Sequence, residues 1–269
     1  MNRDPSMTSS LLACVLALAA CPSDDPMDTG NVTTTGQPAS TGTDGSSSST
    51  DATSTGADSG SDDTSGTTGE PEPLPEFDCE GVDGVFDGSV IIESSADLDM
   101  LDGVGSVTGG VVINDTDLTD LDALGCVTTI GDDLQIFGNQ LLTNVDGLVN
   151  ITEIGGDFIF TENPMVTDFD GLQRLTKIEQ SFSMNSNDAM TQVSGFDSLV
   201  GIEGNVTIRD NAVLTNIDGL KGLMVVGGTL AITANPMLCL SSVDCVGGGI
   251  VSPPVIPPDW TTNANDPDC

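Results

Sequence analysis

No histidine and no tyrosine occur in these 269 residues, a single tryptophan stands at Trp260, and five basic side chains face 42 acidic ones for a formal charge of −37. Without imidazole the chain lacks the commonest general base and the commonest metal-binding nitrogen. One indole and eight phenylalanines leave little aromatic surface for stacking sugars or bases. The shortage of Lys and Arg excludes nucleic acid and anionic lipid headgroups as partners, because both need cationic surface. Long apolar runs are also missing. The longest, Leu11–Ala20, has ten residues, half the length a membrane-spanning helix needs. No C-x-x-C pair occurs among the seven cysteines.

What is present is a repeat. From Gly131 the chain restarts every 24 residues, at Gly131, Gly155, Glu179, Glu203 and Gly227, in units such as GDDLQIFGNQLLTNVDGLVNITEI and EGNVTIRDNAVLTNIDGLKGLMVV. Two shorter versions precede them, DGSVIIESSADLDMLDGVGSV and TGGVVINDTDLTDLDALGCVTTI, and the last unit degenerates after Cys239. A fixed period of this length marks a solenoid. Each unit carries an apolar-x-apolar step (Leu134 and Ile136, Phe158 and Phe160, Phe182 and Met184, Val206 and Ile208, Leu230 and Ile232), which predicts a strand of two or three residues with one buried face.

Asparagine follows at Asn139, Asn163, Asn187, Asn211 and Asn235. Its amide bonds to nearby backbone and it tolerates left-handed backbone, so a corner built on these five residues is expected. An Asp-Gly-Leu element then reads as a second tight turn, and a closing apolar pair such as Ile151 and Ile154 completes the circuit. One such unit has too few inward side chains to offset the ordering of its own backbone, whereas stacked units bury each other's faces. The expected fold is therefore mainly β: a right-handed parallel β-helix, or leucine-rich-repeat-like solenoid, of about seven coils of 21–24 residues.

The pattern G-x-L-x-I-x-x-N-x-x-L-T-x-[LIV]-D-G-L-x-x-[IL]-T-x-I resembles the receptor L-domain family over residues 79–269. The resemblance implies a single-stranded right-handed β-helix used for binding or surface architecture, without enzymatic activity. It also implies pairing of Cys79 with Cys126 at the first cap, and of Cys269 with Cys239 or Cys245 at the last. From the residues alone the connectivity stays open and one thiol is left over. A zinc site of four thiolates is the competing use of these cysteines, with neither histidine nor suitable spacing to support it.

Residues 1–21 read as a secretory signal whose Leu18-Ala19-Ala20-Cys21 resembles the bacterial lipobox, making Cys21 the lipidated residue and the lipid the chain's sole membrane attachment. Arg3 is offset by Asp4, so the basic start of such a signal is weak. Residues 22–78 are rich in Ser, Thr, Gly and Asp and predict a disordered tether spanning on the order of 40 Å. The expected location is thus the outer membrane or cell surface of a bacterium, with disulfides formed after export.

Stacking places Asp122, Asp146, Asp170 and Asp218 in one column, interrupted by Ser194. Such a column suggests a Ca²⁺ site or the carboxylate pair of a β-helix polysaccharide-active enzyme; the simpler reading is that each Asp accepts backbone N–H bonds in its own turn. A binding face is expected on the outward strand positions: Asp133, Gln135, Phe137, Ile159, Thr161, Ser183, Asn185, Thr207 and Arg209, continued by Ala231 and Thr233, with Phe137 and Ile159 as a small apolar spot. Its ligand is expected to be a protein or glycan at the cell surface. A Ca²⁺-stabilised surface-layer component is a further alternative.

Overall fold

The computed structural model describes residues 75–251, 261–263, 265 and 266. The signal, Cys21, most of the tether, Trp260 and Cys269 lie outside the described residues. Within them the chain winds as a parallel β-helix solenoid with two sheets of seven strands each. The long-strand sheet runs from Val90–Ile92 through Val111–Asn114, Leu134–Phe137, Phe158–Thr161, Phe182–Asn185 and Val206–Arg209 to Leu230–Thr233. Its strands pair in parallel and, from Leu134 on, in register at the 24-residue step: Leu134 with Phe158, Phe182 with Val206.

The second sheet is one the repeat pattern did not predict. The closing apolar pair forms a strand of its own, Thr129–Ile130, Glu153–Ile154, Lys177–Ile178, Gly201–Ile202 and Val225–Val226, stacked after Gly84–Phe86 and Val104–Val107. Two residues are too few to carry a period-two signature, so only the stacking reveals them. The long strands also exceed expectation, at four residues in most coils.

Each coil closes around the same inward set. In the coil beginning at Gly131 these are Leu134, Ile136, Leu142, Val145, Leu148, Ile151 and Ile154, all essentially inaccessible to solvent. Phe158, Phe160, Phe169, Phe182 and Phe196 form one aromatic cluster at mid-stack, with Phe158 and Phe182 stacked at 5.4 Å and Phe160 edge-on to Phe169 at 4.8 Å. The Asp-Gly-Leu element is a one-turn 3₁₀ helix, as at Asp146–Leu148 and Asp170–Leu172.

The five asparagines are fully buried and form a continuous ladder. Each Oδ1 accepts the backbone N–H of the asparagine one coil earlier: Asn139 N donates to Asn163 at 3.2 Å, Asn163 N to Asn187 at 3.0 Å, Asn187 N to Asn211 at 3.0 Å. Each Nδ2 donates to strand carbonyls, as Asn163 does to Ile136 at 2.9 Å and Thr161 at 3.1 Å. Thr116 starts the ladder, and Asn265 ends it by accepting the Asn235 N–H at 3.1 Å.

The left-handed backbone expected at these asparagines sits one residue earlier. Asp115, Glu162, Ser186, Asp210 and Ala234 have φ of 52° to 58°, and Gly138 occupies the same place. The physical division is plain: the corner residue before the asparagine takes the left-handed strain, which frees the asparagine to turn inward and bond.

The ends are closed differently. Cys79 is disulfide-bonded to Cys126, and the Phe77 ring lies over Gly125, where a Cβ would collide with it. At the other end the degenerate repeat is the helix Leu240–Gly249, which packs on the 3₁₀ segment Asp218–Gly222. Residues 261–266 add a further row: Thr261 bridges Ala231 and Asp266 bridges Cys239. Cys239 and Cys245 are both disulfide-bonded at this end. No helix among the described residues is long and apolar enough to cross a membrane.

Candidate binding face

Parallel register turns the outward strand residues into two columns. One runs Ile91, Val112, Gln135, Ile159, Ser183, Thr207, Ala231 and the other Asn114, Phe137, Thr161, Asn185, Arg209, Thr233. Phe137 and Ile159 are therefore diagonal neighbours on adjacent strands, and both are half-buried. Val112 and the largely exposed Ile91 extend their apolar spot toward the first coil. Sequence reading had passed over both. Their signal was the outward position of the two shorter units, VII and VVIN, which fall out of the 24-residue alignment.

Toward the last coil the face turns polar. Asn185 Nδ2 donates to Ser183 Oγ at 2.8 Å, while Asn185 Oδ1 is held out of solvent without a hydrogen-bond partner. Arg209, at the exposed end of its strand, lies 3.8 Å from Asp210.

Asp133 departs from its expected role. Its Oδ1 accepts the Asp157 N–H at 2.8 Å and its Oδ2 accepts from Gln135 Nε2 at 3.0 Å. Asp157 in turn accepts the Ser181 N–H at 2.7 Å, and Asn205 the Thr229 N–H at 2.8 Å. The position before each long strand is thus a second side-chain ladder, and Asp133 belongs to that scaffold.

The aspartate column also differs from the expectation that each Asp caps its own turn. The acceptor sits two residues earlier: Asp120, Asn144, Asp168 and Asn216 accept the N–H of Asp122, Asp146, Asp170 and Asp218 at 3.2–3.4 Å. The column side chains begin the 3₁₀ helices and face each other across coils. Ser194 donates to Asp170 at 2.6 Å, Ser242 to Asp218 at 2.7 Å, and Lys221 pairs with Asp218 at 2.7 Å. Burial, then the charge of Asp168, Asp170 and Asp122, raises the Asp146 carboxyl above its ordinary range; burial and Asp120 do the same to Asp122. Among the described residues no group of three or more Cys, Asp or Glu is placed to hold a metal ion.

A raised folded-state pKa means the folded chain binds more protons than the unfolded one between the ordinary carboxylate value and the raised one. Stability from this group is therefore lost as pH rises through that window. Asp146→Asn is expected to raise the unfolding midpoint at pH 7 by about 1–3 °C and to leave it unchanged near pH 3; thermal melts at the two pH values check this.

Searches against protein-family models, curated proteins and solved structures find no match for this chain.

Proposed function

We propose that this chain is a non-catalytic binding module of the bacterial cell surface. In this reading Cys21 carries a lipid, residues 22–78 act as spacer, and the solenoid presents its outward long-strand sheet to a protein or glycan. The observation that supports it best is the character of that sheet. Its outward residues include an apolar group in the early coils (Ile91, Val112, Phe137, Ile159), set among Asn114, Gln135 and Thr161, and are polar in the coils that follow (Ser183, Asn185, Thr207, Arg209). The faces of stacked repeats present continuous, extended surfaces to macromolecular ligands. The resemblance of the repeat to the receptor L-domain family favours the same reading. A polysaccharide-active enzyme would need a walled cleft, and coils of a near-constant 21–24 residues leave no long insertion to build one.

The test is capture from the surface fraction of the source cells by the full chain, beside a Phe137→Asp, Ile159→Asp variant with an unchanged melt. A protein or glycan held by the first and released by the second supports the module. Equal capture by both, or sugar release from added polysaccharide, contradicts it. A melting point lowered by chelator would point instead to a Ca²⁺-stabilised surface-layer component. Anchoring is tested by Cys21→Ser, which is expected to move the protein out of the detergent phase; unchanged partitioning opposes a lipid at that residue.

A further inference from the structure

A second surface lies at the corner that follows the long strands, beyond the face just described. In five successive coils the asparagine carbonyl accepts the N–H three residues on: Asn139 from Leu142, Asn163 from Val166, Asn187 from Met190, Asn211 from Leu214, Asn235 from Leu238. These are five copies of one tight turn, held in line by the asparagine ladder beneath them. The third residue of each turn is apolar in every coil: Leu141, Met165 and Met237 are exposed, and Ala189 and Val213 between them are half-buried. Leu141, Met165 and Met237 are each more than half exposed, at 54%, 53% and 51%.

Nothing in the fold asks for this. The third position of these turns has ordinary negative φ and accepts most residue types, and a solvated corner gains nothing from methionine. At a coil spacing of about 4.8 Å the five side chains make a ridge roughly 19 Å long. The three middle coils of the ridge also carry acids. Exposed Glu162, Asp188 and Asp210 lie within three residues of the ridge positions, and the one base beside them, Arg209, is already paired with Asp210. An apolar line with acids beside it is complementary to a positively charged apolar stripe, and flexible methionines adapt to varied partners.

We propose that this ridge docks a cationic amphipathic segment of a partner protein, its apolar stripe on Leu141, Met165 and Met237 and its basic flanks on Glu162, Asp188 and Asp210. A helix of about 13 residues would cover the ridge at 1.5 Å per residue.

The probe is a fluorescent 18-residue Lys/Leu peptide with one apolar helical face, titrated with the full chain by anisotropy. The variant Leu141→Ser, Met165→Ser, Met237→Ser is expected to bind at least ten-fold more weakly with an unchanged melt. Phe137→Ser, Ile159→Ser, which alters the other face, is expected to bind as wild type. A Glu/Leu peptide of the same pattern is expected not to bind. Equal affinity in the ridge variant, or equal binding of a Lys/Leu peptide scrambled to lose its stripe, overturns the proposal, because charge alone would then suffice. A dimer in sedimentation that the ridge variant abolishes also overturns it, by assigning the ridge to a second copy of the chain. Loss of the sheet-face ligand leaves these outcomes unchanged.

Discussion

Replacing Asn187 by alanine is expected to lower stability by roughly 3–5 kcal/mol, since each buried polar group left without a partner costs about 1–3 kcal/mol. Asn187 is fully buried at mid-stack. Its Oδ1 accepts the Asn163 N–H at 3.0 Å, and its Nδ2 donates to the carbonyls of Phe160 and Asn185, each at 3.1 Å, and to Asn211 Oδ1 at 3.4 Å. Alanine supplies none of these bonds. Because coils are stabilised by neighbours, the loss falls on the contact between the two halves of the stack. Chemical denaturation of Asn187→Ala should thus show an early phase or a midpoint well below wild type. Thr207→Ala, on the outward face of the adjacent strand, should stay within about 0.5 kcal/mol of wild type. A ladder variant that behaves like Thr207→Ala would mean that these bonds are dispensable.

Gly171→Ala should be nearly as damaging, and its sign is the informative part. In a helical turn alanine is ordinarily better than glycine by about 0.5–1 kcal/mol. Here a Cβ on Gly171 would fall on the Val145 carbonyl oxygen of the coil before, and 2.8 Å from the Asp146 Cα. Both are backbone and neither can swing aside. Gly147 and Gly219 meet the carbonyls of Leu121 and Val193 in the same way, so glycine at this place lets successive 3₁₀ turns stack. Overpacking of this kind costs about 1–3 kcal/mol, more when backbone must move. Gly248→Ala provides the opposite case: it lies in the helix Leu240–Gly249 with nothing within 4 Å of a Cβ, and it should gain about 0.5–1 kcal/mol. Denaturation midpoints moving in opposite directions for two Gly→Ala changes would separate coil contact from helix propensity.

Much of the scaffold was legible because the repeat is strict. The 24-residue step sets the strand register, so Leu134, Phe158, Phe182, Val206 and Leu230 are readable from the sequence as one inward column. The Cys79–Cys126 bond followed from a family resemblance and is present. What escaped has physical reasons. A side-chain ladder such as Asp133, Asp157, Ser181 and Asn205 needs only an acceptor, so its residue type varies and no consensus marks it. The left-handed residues Glu162 and Ala234 lack any glycine signal, since neighbouring hydrogen bonds hold their backbone. Asn265 closes the asparagine ladder at a spacing of 30 instead of 24, which no periodic search finds. On the candidate face, Phe137 and Ile159 were visible by alternation, whereas Ile91 and Val112 sit in coils of irregular length.

A stack that is a single body laced by its buried asparagines is tested most directly by hydrogen–deuterium exchange resolved to single amides. The amides of Asn139, Asn163, Asn187 and Asn211 donate to side chains of the next coil inside the core, so they should be among the slowest to exchange, with a 24-residue rhythm. Turn-tip amides such as those of Leu141 and Met165 should exchange quickly between them. Asparagine amides that exchange as fast as the tips, or protection confined to one part of residues 131–250, would contradict the ladder and the continuous solenoid built on it.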